Sequence, residues 1–223
     1  MTDLHTHILP GIDDGASDFD TALEMLRAEI ENHVDTVVLT PHYFVNEFGE
    51  SDKEKIRLRF EELKAKCDGL PIRILLGAEL YYHPYLAEQL KRHEALTMNG
   101  SDYILVEFSL VQKYYDLSDV FYNLQCYGYK VILAHPERYT YLTVEEIVEL
   151  RRNGVLVQID TSSVLGDFGK EAAKKAARLL RGDHVDFIAS DAHSMGRRSP
   201  NLKKTLDHIE KKFKRKYDNR IDI

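Results

Sequence analysis

Short apolar runs alternate with longer amphipathic stretches along the whole chain. The runs are residues 2–8, 36–40, 72–80, 103–108, 131–135, 155–159 and 187–190. Several are β-branched and nearly continuous, the pattern of strands buried on both faces. Between them lie stretches with helical spacing. Ser17 can cap a helix carrying Ala22, Leu23, Leu26 and Ile30, and residues 54–67, 117–127, 144–153 and 171–180 are further helices. Leu202, Leu206, Ile209 and Phe213 stand at i, i+4, i+7 and i+11, one stripe of a last helix. Seven strands, each followed by helical or loop material, predict a parallel, barrel-like βα fold. An open doubly wound sheet is the alternative, but no GxGxxG or GxxxxGKS/T stretch supports nucleotide binding. No low-complexity linker or fixed repeat divides the chain, so residues 1–223 read as a single domain.

The polar residues at the ends of these runs change the picture. His5 and His7 close the first run, with Asp14 shortly after. His42 follows the second run, Glu79 and Glu107 end the third and fourth, His135 ends the fifth, and Asp191 and His193 follow the seventh. In a βα barrel the C-terminal strand ends converge on the face where active sites form. Alternation along a strand sends i and i+2 to one side, so His5 can share a target with His7, and Asp191 with His193. By the same parity Asp3 falls on the side of His5, as a supporting or a structural residue. Asp13 supports a ligand or is simply a loop residue. Imidazoles and carboxylates without thiolates suit Zn²⁺, Mn²⁺ or Fe²⁺. Nine such residues are too many for one ion and suit two or three ions sharing bridging carboxylates. A single polar strand end is ordinary. Several buried carboxylates converging without cations would repel one another. His33, His83, His93, His184 and His208 sit in helical or turn contexts that suit surface or capping roles.

Composition narrows the partners. The 223 residues carry a formal net charge of −7, which gives duplex nucleic acid no general attraction. An anionic substrate must therefore be drawn in by a local site. No apolar stretch approaches membrane-spanning length, and no leader opens the chain. Cys67 and Cys126 are the only cysteines, which argues against a disulfide framework and fits a reducing cytoplasm. Cys67 to Arg73 has the C-x5-R spacing of cysteine-dependent tyrosine phosphatases. Those enzymes need a strand-to-helix loop whose N–H groups cradle phosphate. Here the expected order is reversed: Cys67 ends a helix, Arg73 enters a strand, and Pro71 removes one N–H.

The ordered set His5-Thr6-His7-Ile8-Leu9-Pro10-Gly11-Ile12-Asp13-Asp14-Gly15, Gly77-Ala78-Glu79, Val106-Glu107-Phe108, His135-Pro136-Glu137-Arg138 and Asp191-Ala192-His193 resembles the polymerase-and-histidinol-phosphatase (PHP) superfamily. It is most similar to the manganese-dependent bacterial tyrosine-protein phosphatases of capsule and exopolysaccharide biosynthesis. The resemblance implies a distorted (β/α)7 barrel with a trinuclear centre, Mn²⁺ foremost and Fe, Zn, Co or Mg as alternatives. Its ligand positions fall on His5, His7, Asp14, His42, Glu79, Glu107, His135, Asp191 and His193, and its phosphate-binding arginines on Arg138 and Arg198, with Arg197 adjacent. It implies a phosphotyrosine-bearing kinase tail as substrate. The alternatives are a histidinol-phosphate or other small phosphomonoester phosphatase, and a non-catalytic metal-binding module. Divalent ions lower the pKa of bound water, so such a centre suits hydrolysis without a protein nucleophile. Tyr43, Phe44, Tyr81, Tyr82 and Phe108 are candidates to hold the substrate ring. Relatives usually continue into another C-terminal helix, whereas this chain ends just beyond a basic run, residues 211–220, that reads as a solvated helix end.

Overall fold

The structure is a computed structural model that describes residues 1–44, 53–114, 116–217 and 219–223. Among them the order is β1 (Thr2–Thr6), α1 (Phe19–Glu31), β2 (Thr36–Leu39), β3 (His42–Tyr43), α2 (Lys53–Lys66), β4 (Arg73–Leu76), β5 (Glu79–Tyr81), α3 (Leu86–Lys91), β6 (Tyr103–Glu107), α4 (Leu117–Cys126), β7 (Lys130–Leu133), α5 (Val144–Arg152), β8 (Leu156–Asp160), α6 (Thr161–Leu165), α7 (Lys170–Gly182), β9 (Phe187–Ala189) and α8 (Leu202–Phe213). The strand pairings are all parallel. They form two sheets, β1-β2-β4 and β3-β5-β6-β7-β8-β9.

On one margin the two sheets meet at an interruption of the strands. The run read as one strand over 72–80 is two strands, β4 and β5, separated by Gly77 and Ala78. Pro41 between β2 and β3 has no N–H to give the ladder. Pairing nonetheless carries across: Gly77 N donates to Leu39 O (2.8 Å) and Glu79 N to Pro41 O (3.0 Å). A Cβ on Gly77 would stand 2.9 Å from Met98 Sδ and 3.2 Å from Val38 Cγ1, so a larger residue at this crossing would push the Met98 side chain aside. At the other margin the last strand returns to the first. Asp191 N donates to His5 O (2.9 Å) and His7 N to Ala192 O (2.8 Å). The parallel strands thus curve round until β9 lies beside β1.

Each strand buries both faces. Leu4, Val38, Leu75, Leu105, Ile132 and Phe187 form a cluster on the inside of the curve. Their neighbours Val37, Ile104, Val106, Val131 and Ile188 belong to a larger outer cluster with Met25 and Leu26 of α1, Leu124 of α4 and Leu179 of α7. This accounts for the unbroken apolar runs.

Helix boundaries fall within a residue or two of expectation, with α3 and α6 as short additions. The cap of α1 is Asp18, whose carboxylate accepts from Thr21 N (2.8 Å), rather than Ser17. A carboxylate there also meets the positive end of the helix dipole. Lys211, Lys212, Lys214, Lys216 and Arg220 of the basic run are exposed, as expected of a solvated helix end, but the chain beyond α8 also packs back on the sheet. Asn219 Nδ2 donates to Thr2 O and Ile188 O (2.6 Å each), and its Oδ1 accepts from Ile188 N (2.8 Å). Ile221 and Ile223 pack on the inner cluster. The tail therefore stitches β1 to β9 at the N-terminal ends of the strands. No helix among the described residues is long and apolar enough to cross a membrane.

Candidate metal centre

The opposite ends of the strands carry the polar residues. The register of β1 against β2 slips between Asp3 and Thr6. Through this slip the simple alternation fails for Asp3. Its carboxylate accepts from Ser190 N (3.1 Å) and sits beside Glu29 of α1, whereas the His5 ring turns inward to Gln158. After β1 the chain folds back on itself, with Ala16 N donating to His7 O (2.9 Å). A Cβ on Gly15 would fall 2.0 Å from His7 O, so the return requires glycine. The loop thereby brings Asp13 to His7 and leaves Asp14 exposed at the mouth.

Two ligand candidates leave their strands in left-handed backbone, His135 at φ 34° and Asp191 at φ 51°. Such a conformation costs a non-glycine residue about 1–3 kcal/mol. It persists here inside a tightly hydrogen-bonded mouth and re-aims both side chains toward the centre.

All nine sequence-predicted ligand candidates come together. Glu79 Oε2 lies 3.3 Å from His5 Nε2, 3.4 Å from His7 Nε2 and 2.9 Å from His42 Nδ1, while Glu79 Oε1 lies 2.9 Å from His135 Nε2. Asp191 Oδ1 lies 3.5 Å from His5 Nε2 and 3.3 Å from His7 Nε2. Asp14 Oδ1 stands 3.5 Å from His42 Nε2 and 3.3 Å from His193 Nε2, and Glu107 Oε1 is 3.6 Å from His135 Nε2. Four overlapping sets could each hold an ion: His7, Asp14, His42 and His193; His5, His135 and Asp191; His5, His7 and Glu79; His42, Glu79 and Glu107.

The far sides of the imidazoles are held by acceptors. His7 Nδ1 donates to Asp13 Oδ2 (2.7 Å), His5 Nδ1 to Gln158 Oε1 (3.1 Å) and His193 Nδ1 to the Asp191 carbonyl (2.9 Å). Each partner fixes the proton on Nδ1 and turns Nε2 inward as a lone pair, the arrangement that serves a metal ligand. Asp13 also accepts from Gly15 N and His42 N, so it supports two ligand candidates at once.

The charges balance only with difficulty in the absence of cations. Burial would pull His5 down, but Glu79 and Asp191 overcome it and raise it to about 9. Burial, and then the neighbouring Glu79, pushes Glu107 up to about 9. Burial and His7 drive His193 down to about 3. Four buried atoms, His42 Nδ1, Glu79 Oε2, Asp191 Oδ1 and His193 Nε2, lack a well-directed hydrogen bond. These are the donor atoms that divalent ions take up, so the residues fit a bound metal.

Two arginines close one side. Arg138 Nη1 donates to Asp191 Oδ2 (2.8 Å) and Asp160 Oδ2 (3.1 Å), and Arg198 Nη2 donates to the same Asp191 oxygen. Arg197 instead donates to the Asp167 carbonyl (2.9 Å), away from the cluster. Strand β8, which supplies no ligand, supplies Gln158 and Asp160: Gln158 Nε2 donates to Asp160 Oδ1 (3.0 Å). It thereby links the His5 ring to the Arg138 guanidinium. Sequence reasoning passed over both, although a Gln and an Asp in an apolar run were a visible signal. It also passed over Phe168, which lies in a loop without periodic pattern.

The aromatic residues divide. Tyr43 is buried and donates from Oη to Glu94 O (2.9 Å), and Phe108 is buried against Tyr82, Tyr114 and Phe121. Tyr82 packs with Phe108 and Tyr114 on the same outer cluster, so Tyr43, Tyr82 and Phe108 all complete the outer core rather than border the mouth. Phe44 and Tyr81 remain, with Phe44 5.5 Å from the His42 ring and 5.6 Å from that of Tyr81, centroid to centroid. The C-x5-R stretch is no phosphate cradle: Cys67 is buried just past α2 and Arg73 is exposed at the start of β4. His33 and His93 take left-handed positions just past helices, as their contexts led one to expect.

A parallel α/β scaffold that gathers imidazoles and carboxylates at its strand ends defines a metal-dependent enzyme. Residues 1–223 match the family described as capsular polysaccharide synthesis, CpsB/CapC, and the chain belongs to that family. The CapC protein of Staphylococcus aureus is 34% identical over 222 residues, covering 98% of this chain and 86% of CapC. The tyrosine-protein phosphatase YwqE of Bacillus subtilis is 32% identical over 219 residues, 96% of this chain and 85% of YwqE. A crystal structure from work on YwqE and the CpsB of Streptococcus pneumoniae, described as unique metal-dependent tyrosine phosphatases, superposes with a TM-score of 0.89 at 31% identity. It covers 96% of this chain and 87% of that one.

Proposed function

We propose that this chain is a metal-dependent tyrosine-protein phosphatase of capsular polysaccharide synthesis, acting on the phosphotyrosine tail of a bacterial tyrosine kinase. The observation that carries the reading is the juxtaposition at Asp191. One carboxylate oxygen faces the buried imidazoles and the other receives two guanidiniums. A cation site and an anion site therefore adjoin at one residue, an arrangement that suits phosphoryl transfer to water. The names of the relatives supply the phosphotyrosine. The curvature of the strands and the return of β9 to β1 support a distorted (β/α)7 barrel of the PHP type over residues 1–223.

His5, His7, Asp14, His42, Glu79, Glu107, His135, Asp191 and His193 would hold the metal; the four overlapping donor sets favour three ions, with Mn²⁺ the reading the resemblance favours. When bound, such ions supply an activated water and neutralise phosphoryl charge. The protein does the rest. Arg138 and Arg198 bind phosphoryl oxygens through planar forks that can meet two oxygens at once. Asp160 keeps the Arg138 guanidinium aimed while the ester is absent. Phe44 and Tyr81 offer an apolar wall beside His42 for a phenyl ring. Neither cysteine takes part: Cys67 lies just past α2 and Cys126 ends α4, each before the start of the strand that follows and so at the other end of the strands.

The test is kcat/KM for a phosphotyrosine peptide, a phosphoserine peptide and histidinol phosphate, under one restored metal and one pH. Phosphotyrosine is expected to lead. A wide margin for histidinol phosphate replaces this reading by a small-molecule phosphatase. Absence of turnover with every metal, in folded and metal-loaded protein, replaces it by a metal-stabilised interaction module.

A further inference from the structure

Arg138 and Arg198 carry like charge and converge on one oxygen, Asp191 Oδ2. Arg138 has a second carboxylate in Asp160. Among the described residues Arg198 does not, and its Nε is buried without a hydrogen-bond partner. What the two share besides Asp191 is a ring. Arg138 Cζ lies 4.5 Å from the Phe168 centroid and Arg198 Cζ 5.9 Å from it. An aromatic face attracts a guanidinium through its quadrupole and leaves the edge N–H groups free to bond elsewhere.

The ring sits on a short, hydrogen-bonded connection between α6 and α7. Gly166 and Gly169 flank it in left-handed backbone, at φ 95° and 92°. Asp167 N donates to Ser162 O (2.8 Å) and Gly169 N to Gly166 O (3.1 Å). From the other side Arg197 donates to Asp167 O (2.9 Å), beside Phe168. The Arg198 carbonyl in turn accepts from His193 N (2.9 Å) and Ser194 N (3.2 Å). The loop bearing Phe168 and the loop bearing Arg198 are thus tied to each other and to a ligand candidate.

We propose that Phe168 is a positioning residue for phosphate recognition, its ring face holding Arg138 and Arg198 together at the edge of the centre where a phosphoryl group docks. The proposal rests on the reading of the two arginines as phosphate-binding. Because Phe168 acts through them, it serves every phosphomonoester alike, aryl or alkyl, and inorganic phosphate too. It differs in this from Phe44 and Tyr81, which would meet the ester group.

The test uses the full metal-loaded chain with Phe168→Leu, Phe168→Met and Phe168→Tyr. Inorganic phosphate is the probe, by competitive inhibition and by calorimetric titration, alongside KM and kcat for one aryl and one alkyl phosphate. The expected result for the two aliphatic variants is phosphate affinity weaker by about 3- to 10-fold, with KM raised to a similar extent on both esters. Metal content and thermal midpoint should stay at their starting values, kcat should change less than KM, and Phe168→Tyr should restore binding. Wild-type phosphate affinity in Phe168→Leu, where Arg198→Lys loses it, overturns the inference and leaves the arginine reading standing. A penalty confined to the aryl ester also overturns it, since the ring would then touch substrate. If Arg138→Lys and Arg198→Lys both keep full phosphate affinity, the arginine assignment itself fails and the inference falls with it.

Discussion

At the N-terminal ends of the strands, Asn219 is buried and satisfies its whole amide on backbone groups of β1 and β9, with Ile221 and Ile223 packed beside it. At the C-terminal ends, buried polar atoms are left wanting: Glu79 Oε2, Asp191 Oδ1, His42 Nδ1 and His193 Nε2 lack hydrogen bonds among the described residues. The same strands run between the two ends. A buried polar group whose bonds are made stabilises the fold, while one left unmade costs free energy that the rest of the fold must offset. The contrast locates function at the unsatisfied end, where bound cations would complete what the protein leaves open.

The largest effect should come from breaking the unsatisfied end. His135→Ala removes a donor from the centre. Loss of an outer partner of a metal ligand alone typically costs about 10–100-fold, so kcat/KM should fall by at least the upper end of that range. The thermal midpoint of the native chain should rise on adding metal, as binding to the folded state requires, and the variant should lose most of that rise. Calorimetry with and without metal, next to turnover, checks both. Near-normal turnover in folded His135→Ala would remove the basis of the comparison.

The satisfied end should behave in the opposite way. Asn219→Ala leaves Thr2 O, Ile188 O and Ile188 N without their side-chain partner. Stability should fall by about 2 kcal/mol or more, in the range for stranded buried groups. Turnover and metal content of the folded fraction should be unchanged at low temperature. Urea unfolding followed by an assay of the native fraction measures the two separately. A variant that keeps its stability but loses metal would show that the two ends are not distinct.

How much of this contrast was legible in the sequence differs between the ends. The ligand end was readable because His, Asp and Glu stand out against apolar runs and recur at the same place in six of the seven. Arg138 and Arg198 were placed by the family resemblance, not by any pattern in the chain itself. Asp3 was not placed, because a one-residue slip in β1 defeats alternation. Pro41 and Gly77 gave notice of a break that the apolar run concealed. The tail was illegible for a different reason. Asn219 acts through contacts with Thr2 and Ile188, which lie far off in sequence, and no periodic pattern marks a single side chain that bridges two strands. Phe168 and Gln158 were missed likewise, since their importance lies in what faces them.

Glu29 refines the comparison, because it is a buried and unsatisfied group that belongs to neither the ligand set nor the tail. Both of its carboxylate oxygens lack hydrogen-bond partners. Burial, and then the neighbouring Asp3, raises it well above the ordinary carboxyl range, and burial lifts Asp3 to about 6. The folded state therefore holds these protons more tightly than the unfolded chain. Below the unfolded value of about 4 both states are protonated and nothing is lost. As pH rises past it, the unfolded chain gives up its protons more readily, and stability declines toward the folded values. Glu29→Gln should flatten this slope, adding about 1 kcal/mol at pH 8 and almost nothing at pH 4. Urea midpoints at the two pH values decide it. Equal effects at both would show that Glu29 is not held protonated by its surroundings.

The smallest effect is expected at Cys67, and its smallness is informative. Cys67 and Arg73 flank the turn from α2 into β4, which places their C-x5-R spacing at the N-terminal end of the strand, with the tail rather than with the ligands. Burial pushes the thiol up, away from the thiolate form that a nucleophile needs. No helix N-terminus follows it, so there is no cradle of N–H groups for phosphate. Cys67→Ser should leave turnover and metal content unchanged, with at most about 1 kcal/mol of stability lost through a hydroxyl in an apolar site. Kinetics on the phosphotyrosine peptide, set beside metal analysis, test this. A large loss of turnover in folded, metal-loaded Cys67→Ser would move the chemistry to the wrong end of the strands and overturn the assignment of the centre.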